Sequence, residues 1–219
     1  MNLPGYPFTP KQFQPRPGLS MSYLDEGPRD GETANLAYKK TLERLQSPEV
    51  TEEQFRNELA TLTLGSGAAA MVLARAELAP GAPRYRGGVT RAATEWNKLC
   101  RGNLDGMVTD TRTLLIEGIK LAQKTFGAAK LALGWAVDEL DQFVIHQVSQ
   151  PHTQAVVKAF GIDPKKVMTI FGEHGNIGPA SVPIVLSKLR EMGRLKKGDR
   201  VALLGIGSGL NCSMAEVVW

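Results

Sequence analysis

Apolar residues in the second half of the chain follow two alternating patterns, one helical and one extended. The helical segments begin at capping residues, such as Thr109 or Asp110, and end at glycines, such as Gly161. Between them lie short, near-continuous apolar runs, which are typical of buried strands. The predicted order is helix 110–126, strand 143–147, helix 153–160, strand 167–171, helix 181–193, strand 201–205 and strand 212–218. This alternation predicts an α/β layered fold with a mixed sheet.

The first half is less regular, and it predicts three segments. Residues 1–33 hold six prolines and four glycines, which indicates an irregular extension with one short strand at 19–24. A helix from Thr33 should end before Pro48, and Thr51 with Gln54 forms a capping box for a second helix to about Ala60. The glycine-rich stretch 61–74 predicts two short strands joined through Gly65-Ser66-Gly67. Prolines and glycines in 80–90 suggest a boundary, so we predict units 1–33, 34–79 and 80–219.

The charge pattern restricts the partners. The formal net charge is only +4, and the basic residues thicken between 188 and 200. They form either a solvated helix face or a landing patch for a phosphate-bearing substrate or an acidic carrier protein. Aromatic residues make up 6% of the chain and do not interleave with that basic run, which argues against nucleic acid. The chain has no apolar run of about 20 residues and its first residues lack an apolar core, so we expect a cytoplasmic protein without a membrane span.

The sequence matches motifs for binding a cofactor or a metal ion only weakly. The two cysteines have no metal-type spacing; Cys212 is expected to be a buried small hydrophobe and Cys100 a loop thiol. No carboxylate or thiol shares the spacing of the three histidines, which disfavours zinc. The Gly205-Ile206-Gly207-Ser208-Gly209 turn follows a strand, but a second strand is predicted after it. Without a helix N-terminus there is no pyrophosphate cradle, so we expect no cofactor.

The candidate chemistry lies in His146 and Asn176. His146 ends the predicted strand 143–147, and Asn176 stands in a glycine-flanked turn about one helix later. An imidazole and a carboxamide that converge on one pocket could hold a thioester oxygen or a developing enolate. From the residues alone, His146 is also consistent with a core histidine that is hydrogen-bonded to a backbone carbonyl. Asn176 is also consistent with a turn residue in the left-handed conformation. No matching nucleophile is obvious.

Three stretches resemble a known family: VIHQ, GEHGNIGPAS and LLGIGSGLNCSMAEVVW. They resemble the C-terminal half of the thiolase-fold condensing enzymes of the 3-oxoacyl-ACP synthase III type, and most closely the branch that condenses two acyl-CoAs head to head in olefin biosynthesis. The segment ATLTLGSGAAAMVLARA resembles the end of that family's first half. The resemblance implies a thiolase-like layered fold whose C-terminal half is complete and whose N-terminal half is truncated. Loss of most of one half would leave apolar faces exposed, so we expect a homo- or hetero-oligomer.

The resemblance implies roles for individual residues. His146 and Asn176 would donate hydrogen bonds to the enolate oxygen of an acyl-CoA or acyl-ACP thioester. The residues expected to line the acyl-binding site are Gly205, Gly207, Ser208 and Gly209. The implied function is an acyltransferase that joins acyl thioesters by Claisen condensation in fatty-acid or olefin biosynthesis.

The chain also departs from the family. The region that would carry the nucleophilic cysteine has no counterpart, and neither Cys100 nor Cys212 occupies its place. Residues 1–33 instead resemble the opening of α/β-hydrolases related to haloalkane dehalogenases. We therefore expect a recombined or truncated gene product. The alternative function is a non-catalytic subunit or pseudo-enzyme that acts as a partner or acyl-binding module.

Overall fold

The computed structural model describes residues 11–16, 19–23, 32–103 and 106–219. Its helices are α1 (Glu32–Leu45), α2 (Glu52–Leu62), α3 (Thr111–Leu133), α4 (Gln150–Phe160), α5 (Phe171–His174) and α6 (Ser181–Glu191). Its strands are β1 (Lys11–Arg16), β2 (Leu19–Tyr23), β3 (Arg84–Ala92), β4 (Cys100–Asn103), β5 (Gly106–Thr109), β6 (Gln142–Ile145), β7 (Arg200–Gly207) and β8 (Asn211–Val218).

A four-stranded mixed sheet organises the second half. Its order is β3-β8-β7-β6; β6 and β7 run parallel, and the other two pairs are antiparallel. The parallel pair requires a long crossover, which α4, α5 and α6 provide between β6 and β7. The predicted α/β architecture with a mixed sheet is therefore confirmed.

Both faces of this sheet are covered, which explains the near-continuous apolar run in β6. Phe143 and its neighbour Val144 are both fully buried, but they belong to different cores. One core lies under α3 and α4, where the rings of Phe126 and Phe160 stack 4.4 Å apart. The other lies under α6 around Leu189. Burying a side chain of this size contributes about 1.5–3 kcal/mol, so the two cores hold β6 in place from both sides.

A buried ion pair joins the far end of the sheet to α3. The Glu216 carboxylate on β8 accepts a 2.7 Å hydrogen bond from Trp135 Nε1 and bonds of 3.0 Å from Arg200. Arg200 also donates to the carbonyl of Leu133 at the end of α3. A buried carboxylate is costly unless it is paired and hydrogen-bonded, and here both conditions are met.

Several predicted helix ends are confirmed, but α3 continues to Leu133, beyond the predicted 126, and α4 begins at Gln150 rather than at 153. Thr51 and Gln54 form the predicted capping box of α2, and Asp110 caps α3 through the Thr113 amide. Gly161 ends α4 with φ 67°, a left-handed conformation that favours glycine. Local chemistry therefore sets these boundaries, as expected from helix capping.

Two predicted strand assignments are wrong. Residues 61–62 end α2, Leu64 makes one isolated bridge with Asn176, and residues 65–75 contain no regular element. Residues 167–171 do not form a strand either, because Val167 makes only a single bridge to Phe143. In both places the apolar residues are present, but no neighbouring backbone runs alongside for more than one residue.

The N-terminal segment is described only in part. The predicted strand at 19–24 is confirmed as β2, which pairs with β1 in an antiparallel hairpin; the other residues of 1–31 lie outside the described residues. At the predicted boundary 80–90, β3 joins the same sheet as β8. The division into three units stays a prediction. No helix among the described residues has the length and apolar character needed to cross a bilayer.

Candidate active site around His146 and Asn176

His146 is held at the end of β6. Its backbone N–H donates to Leu204 O at 2.8 Å, which continues the β6–β7 ladder by one residue. The ring is 8% exposed, and its Nδ1 lies 2.9 Å from Ser181 Oγ. Burial lowers the pKa of His146, and a hydrogen bond to the Gly178 carbonyl opposes this shift. The imidazole is therefore neutral near pH 7.

Asn176 lies in the loop between α5 and α6. Its Oδ1 accepts a 3.0 Å hydrogen bond from the Gly178 N–H. Because a backbone N–H can only donate, this bond identifies the carbonyl side of the amide and turns Nδ2 the other way. The described residues offer no acceptor to Nδ2. The side chain thus presents an unused donor.

Ser181 and Gly178 link the two candidate residues. Ser181 Oγ lies 2.9 Å from the Gly178 carbonyl oxygen as well as 2.9 Å from His146 Nδ1. The connection runs from the imidazole to the serine hydroxyl and on to the carbonyl of Gly178, and the N–H of the same glycine continues it to the Asn176 amide. The structure therefore brings His146 and Asn176 onto one hydrogen-bond chain, although 30 positions separate them in sequence.

A short backbone clamp holds the Asn176 loop from the other side. The Asn176 N–H donates to Thr63 O at 2.8 Å, and the Gly65 N–H donates to Asn176 O at 3.0 Å. A Cβ on Gly65 would lie 1.7 Å from the His174 carbonyl oxygen, so only glycine fits there. This contact could not be predicted from the sequence, because a single bridge leaves no periodic pattern.

His152 is a second histidine in this region, and its sequence context indicated no role beyond a helix start or a disfavoured zinc site. It occupies the first turn of α4 and lines a small apolar cavity between α3, α4 and the sheet, together with Val156, Gly205 and Cys212. Burial and the neighbouring His146 lower the pKa of His152 to about 4. Its Nδ1 is buried without a hydrogen-bond partner among the described residues.

The predicted glycine-rich loop is only partly a loop. Gly205 and Gly207 belong to β7, and Ser208 and Gly209 form the hairpin turn to β8, where Gly209 has φ 91°. Of the four residues predicted to line an acyl-binding site, Gly205 borders the apolar cavity. A strand follows the turn, as the sequence predicts, so the glycines do not open a helix that could cradle a pyrophosphate.

Neither cysteine is arranged as a nucleophile. Cys212 is buried as predicted, and burial raises the pKa of its thiol to about 11. Cys100 lies on strand β4, not in the loop expected for it, and its Sγ contacts Met107 Sδ and Thr109 Oγ1. Within the described residues, neither thiol bonds to a histidine, and no group of three His, Cys, Asp or Glu side chains is arranged to hold a metal ion.

Comparison with known proteins points to one family. Residues 131–219 match the family described as 3-oxoacyl-[acyl-carrier-protein (ACP)] synthase III C terminal. The chain is 85% identical over 190 residues to the acyl-CoA:acyl-CoA alkyltransferase of Xanthomonas campestris pv. campestris, covering 87% of this chain and 56% of that protein. The corresponding enzyme of Shewanella oneidensis is 35% identical over 181 residues, which is 77% of this chain and 52% of the relative.

The structural comparison agrees. The crystal structure of a cysteine-to-serine variant of Xanthomonas campestris OleA, with bound lauric acid and lauroyl-CoA, superposes with a TM-score of 0.81 at 85% identity. It covers 85% of this chain and 55% of that one. The mixed α/β fold is thus thiolase-like. The chain spans about half the length of the curated relatives it matches.

Proposed function

Because residues 131–219 carry the C-terminal domain of 3-oxoacyl-[acyl-carrier-protein] synthase III, we propose that this chain contributes the His/Asn part of a site that joins acyl thioesters by Claisen condensation. The substrates proposed are fatty acyl-CoAs, with acyl-ACP as the alternative carrier. The pathway proposed is fatty-acid or olefin biosynthesis.

The chemistry requires a donor where negative charge develops. In such a condensation, a cysteine thiolate attacks the first thioester, forms an acyl-enzyme and releases the carrier thiol. The second thioester gives up an α-proton to a base, and the resulting enolate attacks the acyl-enzyme carbonyl, which releases the cysteine thiolate. The free Nδ2 of Asn176 is suited to donate to the enolate oxygen. A preset donor of this kind contributes about 3–4 kcal/mol to transition-state stabilisation. His146 provides the second polar group of the site.

The observation that carries the proposal is the chain of hydrogen bonds from His146 through Ser181 and Gly178 to Asn176. It holds an imidazole and an unused amide donor in a fixed relation. Rigid, pre-oriented polar groups are what transition-state stabilisation needs, because they require no reorganisation when charge develops.

A second candidate function is a non-catalytic acyl-binding module or partner subunit. It is favoured by the state of the thiols: Cys212 is buried with its pKa raised to about 11, so it stays a protonated thiol at neutral pH. Without a thiolate beside His146, the chain alone has no means to form an acyl-enzyme.

Intact-mass analysis after incubation with lauroyl-CoA separates these two functions. We expect no covalent adduct and no release of free CoA from this chain alone. A covalent acyl adduct that disappears in Cys100→Ser would instead assign full catalysis to the chain. The Cys212→Ser variant serves as the matched control, because its thiol is buried.

Binding of lauroyl-CoA, measured by titration calorimetry, tests the site itself. Asn176→Ala should weaken binding about 2- to 10-fold, which corresponds to the loss of one hydrogen bond to a carbonyl. Asn97→Ala, which changes an exposed asparagine in the same way, should leave the Kd unchanged. If the unaltered chain does not bind lauroyl-CoA, or if both variants bind as it does, the proposed site is wrong.

A further inference from the structure

We propose that Ser181 is a positioning residue, which holds the His146 imidazole with its proton on Nδ1 and its lone pair on Nε2 and ties the ring to the Asn176 loop. Ser181 is the first residue of α6 and is fully buried. Its use in catalysis rests on the proposed function, but its effect on the ring does not.

The argument begins with the hydrogen bonds around Ser181 Oγ. Three groups surround it: the Gly178 carbonyl at 2.9 Å, His146 Nδ1 at 2.9 Å and the Gln147 N–H at 3.3 Å. The carbonyl can only accept and the N–H can only donate, whereas Nδ1 can do either. The hydroxyl has one hydrogen, so it can donate to only one of the two acceptors.

Two arrangements are conceivable, and they differ in the number of bonds. If the hydroxyl donates to Gly178 O, then Nδ1–H donates to Oγ and all three contacts are hydrogen bonds. If it donates to Nδ1 instead, the Gly178 carbonyl loses the bond from the hydroxyl, and one contact fewer is a hydrogen bond. Each buried hydrogen bond contributes about 0.5–1.5 kcal/mol, so the three-bond arrangement with Nδ1–H is favoured.

Ser181 also joins the ring to the Asn176 loop. Its hydroxyl bonds to the carbonyl of Gly178, and the N–H of the same residue donates to Asn176 Oδ1.

This assignment changes the role expected of His146. The resemblance implied that both His146 and Asn176 donate to the substrate oxygen. With the proton on Nδ1, the neutral ring offers a lone pair at Nε2, while Asn176 offers an N–H at Nδ2. The pair would then supply one acceptor and one donor, and two donors only when the ring is protonated.

Long-range ¹H–¹⁵N correlation spectra of ¹⁵N-histidine-labelled protein test the assignment, because they distinguish the N–H nitrogen of a neutral imidazole from the bare one. The chain has three histidines, and single His152→Gln and His174→Gln replacements assign the signals. We expect His146 at neutral pH to show a protonated Nδ1 and a bare Nε2. A bare Nδ1 in the unaltered chain would overturn the proposal, whatever the behaviour of the variants.

Three variants then isolate the contribution of Ser181. Ser181→Ala should shift the proton so that the Nε2–H form becomes the majority, whereas Ser181→Thr, which keeps the hydroxyl, should preserve Nδ1–H. Ser187→Ala is the matched control, because Ser187 lies on the same helix but bonds only to exposed Glu191. An unchanged His146 spectrum in Ser181→Ala would refute the role of Ser181.

The readout needs no turnover. If the unaltered chain shows Nδ1–H but does not bind lauroyl-CoA, the proposed function fails and the role of Ser181 stands. If lauroyl-CoA binds but Nδ1 is bare, the reverse holds. Should Ser181→Ala fail to fold, the spectrum of the unaltered chain and that of Ser181→Thr still decide the question.

Discussion

Strand β6 and the segment 66–79 are similarly apolar, but β6 is a buried strand and the segment 66–79 is exposed and irregular. In β6, Phe143 and Val144 are fully buried between two helical layers, and the backbone pairs with β7 residue by residue. In the segment 66–79, Val72 is 66% exposed and Leu73 is 78% exposed, and no strand forms. Apolar sequence therefore supplies the tendency to form a strand, but a partner backbone and a covering layer decide whether the strand exists.

The candidate site lies where these two regions meet. His146 belongs to the packed sheet, and the neighbouring Ile177 anchors the Asn176 loop in the core under α6. The opposite side of that loop is held by backbone hydrogen bonds to Thr63 and Gly65, next to the exposed segment. The part of the site that carries Asn176 thus depends on a contact with the loosely packed region.

Replacing a leucine by alanine should give the largest difference in stability between the two regions. Leu189→Ala removes a fully buried side chain from the core under α6 and should lower the free energy of unfolding by about 2–5 kcal/mol, because it leaves a cavity. Leu73→Ala makes the same chemical change at an exposed position and should stay within about 0.5 kcal/mol. Urea denaturation measures both; similar losses would mean that the segment 66–79 is packed in solution.

Acid should weaken the packed region selectively. His152 has a folded-state pKa of about 4, below its ordinary 6.5, so the unfolded chain binds its proton first as the pH falls. The contribution is fully present above pH 6.5 and is lost towards pH 4, which amounts to about 2–3 kcal/mol. Urea denaturation across this range should show the loss in the unaltered chain and a smaller one in His152→Gln. Parallel pH profiles for the two proteins would rule out His152 as the cause.

The clamp between the two regions can be broken at Gly65. Gly65→Ala places a Cβ against the His174 carbonyl, a backbone atom that cannot move aside cheaply, and should cost more than about 1 kcal/mol. Hydrogen exchange should accelerate in residues 171–178 while β7 and β8 keep their protection. The control is Gly172→Ala, where the added Cβ meets nothing within 4 Å. Unchanged exchange in Gly65→Ala would mean that the clamp does not hold the loop.

The smallest effect concerns association. Exposed apolar side chains at Met71, Val72 and Leu73 form a patch that we expect to promote oligomers. Replacing these three residues by Gln, Thr and Gln should shift size-exclusion elution towards the monomer without lowering the Tm. A clean monomer before any replacement would contradict this expectation.

Local patterns predicted much of the fold. The capping box at Thr51, the cap at Asp110 and the glycine after α4 are each read from a few neighbouring residues, and each is confirmed. The strands predicted at 201–205 and 212–218 are confirmed for a similar reason, since their apolar runs are long enough to pair along their length. The errors at 61–74 and 167–171 arose where a run of the same composition meets only one bridging residue.

The residues of the candidate site likewise fall into those that local sequence features identify and those that they do not. The histidine at a strand end and the glycine-flanked asparagine are local features, so the sequence by itself identified His146 and Asn176 as the candidate residues. Ser181, Gly178 and Gly65 were not visible, because their roles come from contacts between residues far apart along the chain. A hydrogen bond depends on distance and direction between atoms, and only the tertiary structure decides which distant residues satisfy both.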